Sequence, residues 1–356
     1  MKFNKEIRVL LEILKGEAGM PVPMAGINTG ALFRLAEKHK VSSRLLVYAQ
    51  AHTGMLSPEE TVSLENRCRA NAIRSLGQLH ELIRVTKGLQ EAGIPFAMVK
   101  GPQLSRMVYG REALKESVDL DVMLTEPGDL ARTHATLLAL GYTWSNLDTF
   151  KTGWKRQVFI IAKREIQYLN PALRSYIDLH LKPGTNTYLT ARLFRGFFND
   201  LVVFPLEGTD IPVLPSEKYF VYLCYHGALH QFSRLAWLLD IRVFLIQRRD
   251  KLDIKKVMAI ASALHTEKSL FLAMHLLERY FGEAIPAEIS GDTRYRQLSR
   301  YLTRVCTNMI GQNENYWMTF GGRMEKVLYI MALTEGLAAK IDWLYGILMR
   351  FVAKRI

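Results

Sequence analysis

Cysteine is scarce: the 356 residues include Cys68, Cys224 and Cys306 only, odd in number and far apart. That pattern fits neither a disulfide framework nor a cysteine-built zinc site, and a reducing, cytoplasmic setting is the expectation. No uninterrupted apolar run approaches the roughly 18 residues of a transmembrane helix, so no integral membrane segment is expected. Lys5, Glu6 and Arg8 stand where a signal peptide would carry its apolar core, which argues against an export signal. Internal repeats and low-complexity tracts are missing, and 49% hydrophobic content argues against long intrinsic disorder. Acidic residues are the minority: 34 Asp and Glu against 47 Lys and Arg leave a formal net charge of +13. Such an excess attracts nucleic acid, nucleotide phosphates or an anionic membrane surface, or serves solubility alone, and charge by itself does not choose among them.

What is present reads as helical, then mixed, then helical. At about 150 residues per domain the length corresponds to roughly two domains. Glu6 to Leu14 carries apolar residues at helical spacing and stops at Gly16. Ser57-Pro58-Glu59-Glu60 has the form of a capping box with proline in the first turn, opening a helix that can reach Gly93. The pattern then changes. Ile94 to Val99 is a short apolar run of the kind a buried strand shows, followed by Lys100-Gly101-Pro102 and a helical stretch to Tyr109. Val118 to Leu124 alternates acidic and apolar residues. Pro127-Gly128-Asp129 opens a helix closing at Gly141, and Val158 to Ala162, Glu165 to Leu169 and Tyr176 to Leu181 read as strands. Together these predict an α+β unit with helices packed on a small sheet. From Ser216 the chain is helical again, beginning with a helix expected to carry Tyr219, Leu223, His226, His230, Ser233 and Trp237 along one side. The expected organisation is an N-terminal helical region over 1–92, an α+β core over 93–214 and a C-terminal helical domain over 215–356.

Asp119 and Asp121, two apart on a strand, project from the same face. Neighbouring carboxylates repel, and a divalent cation such as Mg²⁺ resolves the conflict by taking their oxygens together with phosphate oxygens and water. The bland counterpart is an exposed edge strand with a solvated acidic face. Asp178, in the alternating stretch Ser175 to His180, supplies a third carboxylate on another strand, as a two-metal site requires. Gly101 lets backbone N–H groups approach a phosphate, and a helix starting at Pro102 would aim its positive end there. His226 and His230 share a helix face as zinc ligands do, but Gly227 stands where a zinc-peptidase helix carries its general-base Glu. Basic residues gather late, at Arg248, Arg249, Lys251, Lys255 and Lys256, and at Arg296, Arg300 and Arg304, read as one helix face. The final stretch, Ile341 to Ile356, mixes aromatic and basic residues and is expected to pack as a last helix.

In their order and spacing, Lys100-Gly101, Asp119-Leu120-Asp121, Asp178-Leu179-His180 and the stretch His226 to Asp240 resemble the nucleotidyltransferases of the DNA polymerase β superfamily. More narrowly they resemble an uncharacterised bacterial family carrying a KG…DxD…DxH…HgxxH series, over roughly residues 75–250. The resemblance implies a small mixed-sheet nucleotidyltransferase core with flanking helices, an NTP donor, Mg²⁺ or Mn²⁺, and transfer of a nucleotidyl group. By position, Asp119, Asp121 and Asp178 would be the catalytic, metal-binding carboxylates. Lys100 and Gly101 would lie at the triphosphate, with Lys115 where related sequences often carry Arg. His180, His226, His230, Arg234 and Asp240 would line the substrate side. Pro102 departs from the family, which places Gly or Ser there; proline supplies neither N–H nor hydroxyl to a phosphate.

The expected function is therefore metal-dependent transfer of an NMP group from an NTP to a hydroxyl or phosphate of a small molecule, peptide or protein. Two alternatives stand beside it: a catalytically degenerate nucleotide-binding regulatory or partner protein, to which Pro102 points, and an RNA-directed transferase, to which the positive charge points. Nucleic acid is the less favoured partner.

Overall fold

A computed structural model describes residues 3–16, 22–111, 114–144, 165–182, 196–298, 300–311 and 319–353. The chain divides into two compact units, each assembled from three stretches of sequence. A helical unit comprises Met1–Ile73, Ala113–Glu116 and Phe220–Thr334, and a sheet unit comprises Arg74–Glu112, Ser117–Tyr219 and Glu335–Ile356. The fold class is α+β, as the alternation of patterns implies.

In the helical unit the first helix, Lys5–Lys15, starts where the Asn4 side chain accepts from the Ile7 N–H at 2.9 Å. It ends at Gly16 with φ +68°, the left-handed conformation that favours glycine. Between these caps Ile7, Leu10, Leu11 and Leu14 are buried on one stripe. The helix Pro58–Glu91 begins with the expected capping box: the Ser57 hydroxyl accepts from the Glu60 N–H at 3.2 Å, and Glu60 accepts from the Ser57 N–H at 2.9 Å.

The helix from Ser216 is shorter than its apolar pattern predicts. It ends at Leu229, and a second helix begins only at Leu235. The Phe232 N–H donates to the Gly227 carbonyl and the Gln231 N–H to the Ala228 carbonyl, both at 2.8 Å, which closes the helix as a Schellman motif. Gln231 takes the left-handed position at φ +55°, and the ring of Phe232 tucks against Gly227. A Cβ on Gly227 would lie 2.2 Å from Phe232 Cε1, so only glycine admits this turn. The stop was invisible in sequence because Gln, not Gly, occupies the usual signal position. Likewise Arg296 does not share a helix with Arg300 and Arg304: Thr293–Arg296 is a separate turn of helix before Arg300–Gly311.

The sheet unit holds five strands, β1 (Phe96–Lys100), β2 (Asp119–Leu124), β3 (Thr143–Trp144), β4 (Glu165–Asn170) and β5 (Ser175–His180), in the order β1-β2-β5-β4-β3. Strands β2 and β5 run parallel and the other pairs antiparallel. One face carries Leu120, Val122, Leu124, Ile166, Tyr168, Ile177 and Leu179, all buried; the alternate residues form the opposite face. The expected strand over 158–162 lies outside the described residues. A hairpin absent from the sequence reading follows, β6 (Val202–Leu206) and β7 (Thr209–Val213). Its turn residues Glu207 and Gly208 both have positive φ, as a two-residue hairpin turn needs.

The final helix, Leu337–Ala353, buries Ala339 and Trp343 but leaves Leu337, Ile341, Leu344, Tyr345 and Leu348 exposed. Among the described residues no helix is long and apolar enough to cross a membrane.

Candidate active site

The polar face of the sheet gathers the acids that the sequence singles out. Register places Asp121 beside Asp178 across the parallel β2–β5 pair, with Asp119 two residues earlier on the same face. His180 follows Asp178 by two, and β4 sets Gln167 opposite Asp178 and Glu165 opposite His180. Strict alternation along three adjacent strands is what brings these side chains to one surface.

Lys100 reaches that surface by a different device. Its strand partner is Asp121, whereas Met98 pairs with Val122, so the register slips by one residue at Val99. Without this bulge Lys100 would share the apolar face with Met98; with it, Lys100 Nζ lies 2.7 Å from Asp121 Oδ1. The Val99 carbonyl accepts from the buried Tyr219 hydroxyl at 2.6 Å. Sequence reading missed Tyr219 in this role, because a bulge leaves no compositional mark.

Directly after the bulge, Gly101 adopts φ +119° and ψ −155°, a region essentially reserved for glycine. Pro102 then occupies the first turn of the helix Pro102–Tyr109, where its missing N–H costs nothing to the helix. Gln103, fully buried, donates from Nε2 to the Lys100 carbonyl at 2.9 Å and braces the turn.

The two acids of β2 sit in opposite electrostatic conditions. Burial, followed by the charges of Asp121 and Asp178, pushes the Asp119 carboxyl up to about 7. Asp178 is raised for the same first reason, burial, and then by Asp121. Burial also works against an ionised Asp121, but Lys100 and His180 outweigh it and hold that carboxyl well below the usual carboxylate range. His180 is buried, with Nε2 at 2.8 Å from Asp121 Oδ1 and Nδ1 at 3.6 Å from Glu165 Oε2. Gln167 donates from Nε2 to Asp178 Oδ1 at 3.1 Å. Gln167 and Glu165 were missed as site residues. Their alternation with Ile166 and Tyr168 was the available signal for placing them on the polar face.

The same donors bear on metal binding. Among the described residues no group of three or more His, Cys, Asp or Glu side chains forms a ready-made metal cradle. The contacts of Asp121 with Lys100 and His180 both use Oδ1. The donor set nevertheless fits a hard divalent cation in kind: three carboxylates on one face, two of them with raised pKa because buried charge there is poorly compensated.

His226, His230, Arg234, Lys115 and Asp240 belong to the helical unit. The rings of His226 and His230 lie 4.5 Å apart between centroids, and Trp237 stands 5.6 Å from the first and 5.1 Å from the second. The Arg234 guanidinium stacks over Trp237 at 5.5 Å. Lys115, placed by the resemblance at the triphosphate, forms a buried ion pair with Asp240. Arg242, two residues further on, binds Glu283 at 2.5 Å.

The small mixed sheet thus presents three aspartates and a lysine beside a glycine turn. The family model described as uncharacterised nucleotidyltransferase matches residues 25–282, and the chain belongs to that family. It is accordingly a transferase of nucleotidyl groups. No curated protein matches the sequence.

Proposed function

We propose that the protein binds an NTP with Mg²⁺ or Mn²⁺ at the polar sheet face and transfers its NMP group to a hydroxyl or phosphate of a small molecule, peptide or protein. The observation that carries this reading is the alignment of Asp119, Asp121 and Asp178 on one face of β2 and β5, with Lys100 against Asp121. Asp119, Asp121 and Asp178 would hold the cation. When bound, it would neutralise phosphate charge and lower the pKa of the acceptor hydroxyl.

The residues of the chain do the rest. Lys100, at the end of β1 and beside Gly101, supplies positive charge where the triphosphate would approach the backbone. Asp178, its carboxyl raised by burial, is suited to accept the acceptor's proton while the acceptor oxygen bonds to the α-phosphorus and pyrophosphate leaves. Gln167 orients that carboxylate, and His180 orients Asp121. Transfer of this kind depends on positioning and charge stabilisation more than on covalent chemistry of the protein.

The test is calorimetric titration with each of the four NTPs in the presence of Mg²⁺, with Asp119→Ala/Asp121→Ala as control. Magnesium-dependent binding of an NTP that the control loses supports the reading; equal binding by the control overturns it. A second reading, a degenerate nucleotide-binding partner protein, is favoured by Pro102 and by the engagement of Lys115 with Asp240. It predicts NTP binding without turnover on any acceptor.

A further inference from the structure

The helical unit contains a cavity of about 430 Å³ that none of the site residues above lines. It is formed where the helix Leu235–Gln247 ends, the helix Ile254–Ala263 begins, and the segment after Phe281 passes. Its volume lies within the range of about 300–1,000 Å³ seen for small-molecule sites.

The lining separates by chemistry. Leu245, Ile246, Leu252, Ile254 and Pro286 make an apolar wall. Of the acids, Glu283 is engaged by Arg242 at 2.5 Å, and Asp253 caps its helix by accepting from the Lys256 N–H at 3.0 Å. The two cations are different: Arg249 and Lys255 line the cavity and pair with no acid among the described residues. Glu288 is the remaining charge, so the uncommitted groups sum to one positive charge over an apolar surface. Arg248, Lys251 and Lys256 add to it in the neighbouring sequence. This is the basic cluster that nucleotidyl transfer leaves without a role.

We propose that this cavity is a binding site for an amphipathic anion, an apolar body bearing one carboxylate or similar group. The apolar part lies against Leu245, Ile246, Leu252, Ile254 and Pro286, and the anionic end meets Arg249 and Lys255. Burying the chain supplies affinity in proportion to the apolar area covered, and the two cations orient the ligand and select for charge. The inference does not rest on nucleotidyl transfer, since every residue it uses lies outside the polar sheet face.

The experiment is isothermal titration of the full chain with three probes: octanoate, 1-octanol and inorganic phosphate. Octanoate is expected to bind saturably at one site, with octanol and phosphate at least about tenfold weaker, the worth of one charge-assisted contact. Arg249→Ala/Lys255→Ala removes two exposed side chains without disturbing the core, and is expected to weaken octanoate about tenfold while leaving octanol unchanged. Ala284→Trp, which fills the cavity, is expected to abolish octanoate binding. The proposal is overturned if octanoate does not bind, if phosphate binds as tightly as octanoate, or if both variants bind octanoate as the parent does.

Discussion

Asp119 and Asp121 stand two residues apart on one strand, yet one carboxyl is pushed up to about 7 and the other is held far down. The difference comes from neighbours: Lys100 and His180 both contact Asp121, while Asp119 faces burial and two other acids. Because the folded state binds a proton at Asp119 more tightly than the unfolded chain, stability is greatest below the ordinary carboxyl value of 3.8 and declines as pH rises toward 7. Asp178 acts in the same direction, and Asp121 in the opposite one, its contribution being lost only on acidification. Asp119→Asn should therefore gain several degrees of Tm over the parent between pH 4 and pH 7.5 when no divalent cation is added. A thermal scan at each pH reads this; a constant difference would show that Asp119 is not perturbed by its neighbours. On the proposed function, millimolar Mg²⁺ would raise the parent's Tm at pH 7.5 and leave Asp119→Asn/Asp121→Asn where it was. Gly101 offers a second check at this scale. Its φ of +119° is strained for any side chain, and a Cβ would come within 3.2 Å of Gln103 Oε1, so Gly101→Ala should lose about 1–3 kcal/mol in urea unfolding.

Among the elements, the bulge in β1 decides most. A regular strand would pair Val99 with Asp121 and turn Lys100 into the apolar layer. One extra residue reverses that, and Tyr219 holds the displaced carbonyl. Tyr219→Phe keeps the ring and leaves the Val99 carbonyl unpaired in a buried place, which should cost about 1–3 kcal/mol. Its larger signature would be functional: Mg²⁺-dependent NTP binding should weaken along with stability, because Lys100 is no longer held over Asp121. Loss of stability with unchanged NTP affinity would separate the bulge from the site. Much at this scale was legible in the residues. The acid–apolar alternation of Val118 to Leu124 placed β2 to within a residue, and Ser57 to Glu60 announced its helix cap. The bulge, the β6–β7 hairpin and the stop at Leu229 were not legible. Each places Val99, Glu207 or Gln231 in a backbone conformation that its residue type does not signal.

For the whole molecule the notable property is that neither compact unit is continuous in sequence. Met1–Ile73 shares its unit with Phe220–Thr334, and Ala113–Glu116, lying just before the acid strand, belongs there too. That short stretch is anchored: Lys115 pairs with Asp240, and the Glu116 carboxylate accepts from the Ser42 and Ser43 N–H groups at 2.7 and 3.3 Å. Lys115→Met would remove one partner of a buried ion pair and should destabilise the protein by roughly 3–5 kcal/mol, most of which Asp240→Asn in the same chain would restore. A fragment of residues 1–73 should lack a cooperative unfolding transition by circular dichroism, since the partners of its apolar faces lie beyond residue 220. The sequence by itself determined the α+β class, the chemical character of the sheet face and the order of the motifs, because strand alternation and helix caps are encoded by residues close to one another in the chain. Tertiary structure alone decided that Lys100 meets Asp121, that Lys115 is spent on Asp240, and that Asp119 and Asp121 titrate apart. Those outcomes depend on groups brought together from distant parts of the chain, and on burial, which no local pattern records.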